Sequence, residues 1–177
     1  DISKIVKLSF EKRGIKIKTR SVLKSVTTKD NSVSAEIITN EKVETINSEK
    51  LILAIGIIAN TEKLGLKDFN VKIDKGHVVT NEFLETDEKG VYAIGDITDG
   101  PWLAHKASHE GILCVEKIAG HQNLKPIDKT SIPGCTYCRP QVASIGMTET
   151  QARSKNLNLK IGKFPFIGNG KAIALGD

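Results

Sequence analysis

Two apolar runs, each reaching a glycine, restrict the folds open to this chain more than any other feature. One is KLILAIG, Lys50 to Gly56; the other is GVYAIGD, Gly90 to Asp96. Apolar side chains at consecutive positions, rather than at every second one, belong to a strand covered on both faces. Covered strands build parallel sheets flanked by helices, so the expected fold class is α/β. The second run leads through Gly100-Pro101 into the strongest helical stretch, Leu103 to Ala119. There Leu103, Ala107, Gly111, Cys114 and Ile118 share one stripe, flanked by Ala104 and Val115, and Gly120 closes it.

Before the first run the texture differs. Ile2, Ile5, Val6 and Phe10 form a helical stripe that ends in Lys12-Arg13-Gly14, cations and then glycine. Strand-like segments follow at IKIKT, VLKSV, SVSAEIIT and KVETI, separated by polar turns such as Lys29-Asp30-Asn31-Ser32. This predicts a helix feeding an antiparallel meander. Between the two apolar runs, Asp74-Lys75-Gly76 marks a hairpin. After the long helix, HQNLKPID reads as a linker, and a strand is expected from Cys135 to Ile145. Thr148-Glu149-Thr150-Gln151 then opens a short helix with a capping-box pattern. LNLKIGKFPF begins a further strand region. No internal repeat is present.

Composition narrows the class. Hydrophobic residues are 39% and charged residues 27%, as in a soluble globular protein. The longest apolar run, Leu51 to Ala59, is far short of the roughly 20 residues a bilayer span needs, so membrane insertion is not expected. The chain opens without Met, its one Met being Met147, and carries no leader pattern; it is expected to be a piece of a longer protein. Three cysteines suit a reducing compartment. The net charge of +5 concentrates in Lys12, Arg13, Lys16, Lys18 and Arg20. The last three alternate with Ile15, Ile17 and Thr19 and have no interleaved aromatics, so nucleic-acid binding is not expected.

The stretch Val91 to Ala107, VYAIGDITDGPWLAHKA, could hold chemistry. Ligands of open α/β sheets sit beyond the carboxyl ends of the strands. Gly95 would let a cofactor approach the backbone, and Asp96 could accept hydrogen bonds from sugar-alcohol hydroxyls. The helix start, Trp102 to His105, offers free N–H groups and a partial positive charge to an acceptor that gains negative charge, as a reduced flavin does. A strand and a helix joined by a plain turn, with Asp96 beside a helix cap, would use the same residues.

Cys135 and Cys138 form a Cys-x-x-Cys pair, and their context argues for structure. A redox pair opens a helix, whereas CTYC runs into strand-like residues. Side chains three apart in a strand point to opposite faces. Zinc would need a second pair, and only Cys114 with scattered His77, His109 and His121 is available. Both cysteines are therefore expected to pack, and no metal site is expected.

TDEKGVYAIGDITDGPWLAHKASHEG, followed by IPGCTYCRPQVASIGMTETQ and GKFPF, resembles the dihydrolipoamide dehydrogenases of the flavin-dependent pyridine nucleotide–disulfide oxidoreductase family. The resemblance covers essentially the whole chain, and LAHKA, from Leu103, favours this member over glutathione or mercuric reductase. It implies residues 1–56 as the C-terminal part of a Rossmann-like NAD domain. Residues 57–123 would be the returning segment of the FAD domain, and 124–177 the start of an α+β dimerisation domain. It also implies FAD and NAD as cofactors. Asp96 would bind the ribityl chain, and the backbone of Trp102, Leu103, Ala104 and His105 would meet the flavin ring. Gly56 and Val22 would contact NAD. His105 is then expected to contribute backbone and orientation, not a proton.

The implied activity is oxidation of protein-bound dihydrolipoamide by NAD+, through a redox disulfide and FAD. The implied protein is a homodimer serving lipoyl-bearing proteins of 2-oxoacid dehydrogenase or glycine-cleavage complexes, in a bacterial cytoplasm or a mitochondrial matrix. Departures are present. Ile57-Ile58-Ala59-Asn60 stands where Arg-x-Pro-Asn is usual, Trp102 where Met is usual, and Arg139 where His or Thr is commoner. The chain has no G-x-G-x-x-G, no Cys-x4-Cys and no His-Pro followed by Glu. Redox disulfide and His–Glu base are thus expected outside it, leaving no catalytic residue within it and no turnover by the chain alone. The rival readings are another FAD-dependent disulfide reductase, such as mercuric or glutathione reductase, and a non-catalytic dimerisation or binding module.

Overall fold

The opening stripe forms helix α1, Ile2–Lys12, and Gly14 ends it in the left-handed region at φ 87°. Three strands follow, β1 (Ser21–Lys29), β2 (Ser32–Thr39) and β3 (Lys42–Ser48), antiparallel in that order. The turn between β2 and β3 uses Asn40 and Glu41, both at positive φ (50° and 65°). Two successive left-handed residues are what a two-residue hairpin needs to match the strands' twist. The pairing runs from Thr39 opposite Lys42 to Val33 opposite Ser48, and a bulge falls between Leu23 and Ser25. The computed structural model describes residues 2–176, which divide into two compact units, one ending at Gly56 and the next starting at Ile57.

Two expectations for the first unit fail. IKIKT is not a strand but an irregular segment, from which Lys18 reaches Glu44 at 2.6 Å. KLILAIG is neither a strand nor buried, with Ile52 and Ile55 86% and 89% exposed. A covered parallel strand takes its hydrogen bonds and its cover from neighbours, and no strand among the described residues flanks this one.

The second unit begins irregularly and contains the expected hairpin, β4 (Ile73–Asp74) and β5 (His77–Val78), turning at Lys75 and Gly76 (φ 48° and 87°). GVYAIGD forms no ladder strand, and its last two residues enter a 3₁₀ turn. It makes one bridge, Tyr92 to Glu85, and the Ala93 N–H donates to the Leu84 carbonyl at 3.0 Å. A parallel bridge joins Val78 to Thr98. Between these contacts Gly95–Ile97 tightens into a 3₁₀ turn, and the long helix α2 spans Ala104–Ile118. The core is Leu84, Leu113 and Cys114, with Phe83, Tyr92, Leu124 and Ile127 packed on it. HQNLKPID is therefore not a bare linker, because it delivers Leu124 and Ile127 to that core.

The strand expected over Cys135–Ile145 is a hairpin, β6 (Gly134–Thr136) against β7 (Val142–Ser144). Pro140 has no N–H for a ladder, so pairing breaks around it. Cys135 is exposed and Cys138 half-buried; both are free thiols. The expectation that both pack fails for Cys135, which is exposed, whereas half-buried Cys138 donates from its Sγ to the Pro140 carbonyl at 3.0 Å. Helix α3 (Glu149–Ser154) has the full capping box: the Gln151 N–H donates to Thr148 Oγ1 at 3.2 Å, and the Thr148 N–H to Gln151 Oε1 at 2.9 Å. LNLKIGKFPF forms no strand. The chain goes on to a 3₁₀ turn at Phe166–Gly168 and helix α4 (Gly170–Leu175), capped by the Asn169 side chain.

Candidate functional site

The turn Gly95–Ile97 and the start of α2 lie against each other in the second unit. Gly95 sits at φ 78°, and a side chain there would stand 3.5 Å from the Ala107 Cβ. Gly111, one turn further on, admits Ile94, whose Cδ1 lies 3.6 Å from where a Cβ would be. Small residues on α2 thus bring turn and helix together, which is how the apolar stripe of the sequence is used.

The buried face of α2 shares only Cys114 with that stripe. It consists of Lys106, Glu110, Leu113 and Cys114, whereas Ile118 is 60% exposed. Lys106 is the most enclosed large side chain described, at 1% exposure, and Glu110 is at 4%. The Lys106 Nζ has three acceptors: Glu110 Oε1 at 3.1 Å, the Gly95 carbonyl at 3.1 Å and Thr98 Oγ1 at 3.2 Å. An ammonium has three donors, so all are used. Glu110 Oε2 in turn accepts the Gly95 N–H at 2.7 Å. Thr98 also donates to the Gly95 carbonyl, from its N–H at 3.0 Å and its hydroxyl at 2.8 Å. Both backbone groups of Gly95 are therefore held by one buried ion pair.

The sequence-predicted residues divide by unit. Asp96, Trp102, Leu103, Ala104 and His105 all lie in the second. Asp96 is exposed, beside the clamped Gly95, and makes no side-chain hydrogen bond among the described residues. Leu103 is the N-cap of α2, and no side chain caps that end. The first-turn amides are thus available to an acceptor from elsewhere. Trp102 is half-buried with its ring edge-on to His77, centroids 5.7 Å apart. His105 is exposed, and its Nε2 lies 2.8 Å from the Pro133 carbonyl, so its ring ties the helix start to the segment entering β6. His109 is exposed.

In the first unit, Val22 lies on β1 opposite Ile38 and is 67% exposed. Gly56 sits at φ 131° in open space, with no atom within 4 Å of where a Cβ would stand. No group of three or more His, Cys, Asp or Glu able to hold a metal occurs among the described residues.

A groove of about 700 Å³ runs beside the clamp, lined by residues including His77, Val78, Thr98, Asp99, Glu110 and Leu113. Its lining includes neither Asp96 nor Trp102–His105, although His77, against which the Trp102 ring packs, is part of it. At its edge Lys129 bonds Asp99 Oδ2 at 3.1 Å and holds that carboxyl below its ordinary pKa.

Sequence reasoning missed Lys106 and Glu110. A Lys followed four residues later by Glu on a helix reads as a surface pair, and in the less favoured order at that. The only hint is that both stand one position before the stripe residues Ala107 and Gly111.

A chain with this turn–helix unit can be set beside known proteins. The sequence signature of the pyridine nucleotide-disulphide oxidoreductases matches residues 1–111, and that of the family's dimerisation domain matches residues 132–177. The chain belongs to this family, whose cofactors are FAD and NAD.

Dihydrolipoyl dehydrogenase of Rhizobium etli is 47% identical over 178 residues, covering 100% of this chain and 37% of that enzyme. The Zymomonas mobilis enzyme of the same name is 48% identical over 177 residues, with 99% and 38% covered. The mitochondrial one of Canis lupus familiaris is 37% identical over 176 residues, with 97% and 34% covered. The chain thus spans little more than a third of the length of these relatives.

Among solved structures, LpdA from Mycobacterium tuberculosis superimposes with a TM-score of 0.86 at 22% identity, over 97% of this chain and 37% of that one. The HOCl-induced flavoprotein disulfide reductase RclA from Escherichia coli gives 0.86 at 19%, over 100% and 40%. These likenesses carry the fold, which is of the expected α/β class although neither apolar run is itself a ladder strand. No described helix is long and apolar enough to cross a membrane.

Proposed function

We propose that this chain is part of a dihydrolipoyl dehydrogenase, which oxidises protein-bound dihydrolipoamide with NAD+ through a redox disulfide and FAD. The observation that carries the reading is identity of 47% and 48% to dihydrolipoyl dehydrogenases along essentially the whole chain. The protein would act as a homodimer through the region starting near residue 132, with lipoyl-bearing proteins of 2-oxoacid dehydrogenase or glycine-cleavage complexes as partners. It would work in a bacterial cytoplasm or a mitochondrial matrix and contribute to redox homeostasis. Residues 1–56 would belong to the NAD domain, 57–123 to the FAD domain and 124–177 to the dimerisation domain.

The donor and acceptor set of the turn–helix unit suits FAD. Asp96 offers an exposed carboxylate to the hydroxyls of the ribityl chain. The uncapped start of α2 offers amides from Leu103, Ala104 and His105, with the helix's positive end behind them. Trp102 contributes backbone while its ring rests on His77, and the His105 ring, anchored at Pro133, orients the segment. Gly56 and Val22 would serve NAD, Gly56 through backbone that no side chain obstructs. Bound there, the flavin would relay two electrons between a dithiol and NAD+.

The test is made on the full-length enzyme. Asp96→Ala is expected to cost at least about tenfold in FAD affinity, since a carboxylate hydrogen-bonded to hydroxyls is worth about 1.5–3 kcal/mol. It should purify with less visible flavin absorbance at unchanged helix content. Wild-type flavin content in that variant would remove the cofactor site. Turnover of glutathione disulfide in place of dihydrolipoamide would move the protein to another branch of the family.

A further inference from the structure

The Lys106–Glu110 pair sits where a stabilising role alone does not require it. Two charges below 5% exposure are costly to bury, and an apolar pair of the same volume would fill the space at least as well. Burial here has a specific geometric result: the Gly95 N–H is held by Glu110 at 2.7 Å and the Gly95 carbonyl by Lys106 at 3.1 Å. Thr98 completes the ring, accepting from Lys106 at 3.2 Å while donating to the same carbonyl at 2.8 Å. The residue so fixed immediately precedes Asp96. The residues that fix it belong to the first two turns of α2, whose amide end faces the same cofactor in the proposed FAD site.

We propose that Lys106 and Glu110, with Thr98 as the link between them and the turn, are positioning residues for FAD: they set the Asp96 carboxylate and the amide end of α2 in one register. Neither touches the cofactor. The inference rests on the FAD reading of Asp96 and adds a requirement to it, namely that flavin affinity depends on a buried ion pair behind the site. A turn held only by its own N–H to carbonyl bond, from Thr98 to Gly95, could tilt about the peptides on either side of Asp96. Two further anchors, drawn from the helix that carries the other half of the site, remove that freedom. Preorganised groups bind more tightly because the ordering cost is met before the ligand arrives.

The experiment uses the full-length enzyme stripped of flavin and titrated with FAD, read by quenching of flavin fluorescence and by the visible circular dichroism of the bound flavin. Thr98→Val keeps the volume and removes the linking hydroxyl; it is expected to weaken FAD binding about fivefold, the equivalent of one hydrogen bond. Thr98→Ser, which keeps the hydroxyl, should bind within about twofold of wild type. Lys106→Met combined with Glu110→Leu should keep the apoprotein folded and close to its melting temperature, lose at least about tenfold in FAD affinity and alter the flavin dichroism, as both anchors are gone.

Wild-type affinity and dichroism in Thr98→Val would overturn the proposal, as they would in the double variant if that one folds. Equal loss in Thr98→Val and Thr98→Ser would also overturn it, since the hydroxyl would then not be the active group. Asp96→Ala, titrated alongside, separates the two levels. If it binds FAD normally the underlying reading falls; if it loses FAD while the clamp variants do not, only the clamp does.

Discussion

At the scale of single residues, Lys106 carries the sharpest consequence. Its buried ammonium is compensated by Glu110 and two further oxygens. Lys106→Met alone leaves the Glu110 carboxylate buried without its cation, at a cost of about 3–5 kcal/mol. Adding Glu110→Leu removes the stranded charge and should restore most of that loss. Chemical denaturation of the full-length apoprotein checks this: the single variant should unfold at clearly lower denaturant than the double. Equal midpoints would mean that the pair is not buried in solution. Leu113 and Cys114 beside it are ordinary core residues, and burial raises the Cys114 thiol above its usual pKa. The sequence places Cys114 on the inward face correctly. It cannot place Lys106 there, because burial of a charge depends on acceptors that come from the Gly95–Thr98 turn.

At the scale of elements, local signals hold where a few neighbouring residues complete the structure. Thr148 and Gln151 satisfy each other's backbone donors; Lys75-Gly76 and Asn40-Glu41 supply the left-handed turns their hairpins need. A similar local device, not anticipated, is Asp128, which accepts from the Thr130 N–H at 2.9 Å and from the hydroxyls of Thr130 and Ser131 at 2.7 and 2.8 Å. Those hydroxyl and amide bonds hold its carboxyl below the ordinary Asp range. A depressed folded pKa means that the cap's contribution is present above the unfolded value, about 3.9. It is lost as pH falls through the lower folded value. The carboxyl carbon shift of Asp128 should therefore titrate with a midpoint below that of an unstructured Asp. Thr130→Val with Ser131→Ala should raise the midpoint; an ordinary midpoint in the unaltered protein would deny the cap. Elements that need distant partners do not follow their local signal. IKIKT, KLILAIG and LNLKIGKFPF have strand-like composition, but a ladder takes its hydrogen bonds from other segments.

At the scale of the whole molecule, two stretches of sequence carry large exposed apolar side chains. Ile52, Ile55, Ile57 and Ile58 are 70–89% exposed, and Phe164, Phe166 and Ile167 are 72–83% exposed. Apolar surface on this scale marks places where other protein is meant to pack. The second cluster falls within the segment that matches the dimerisation domain. Produced by itself, the chain of 177 residues is expected to bind a hydrophobic dye strongly and to self-associate, whereas the full-length protein should do neither. Dye fluorescence and light scattering on both would test this, and a monodisperse, dye-silent isolated chain would contradict it.

What the sequence by itself determined are features whose cause is local: the helices α1 and α2, the capping box that opens α3, and the turn at Asp74-Lys75-Gly76. The family was legible too, because several separated motifs recur in order. Tertiary structure alone decided which face of α2 is buried, that Leu124 and Ile127 belong to the core, and that two opposite charges close around Gly95. The physical reason is the same in each case. A hydrogen bond to a neighbour three or four residues away is written into the spacing, whereas burial is a property of what packs on top, and that comes from elsewhere in the chain.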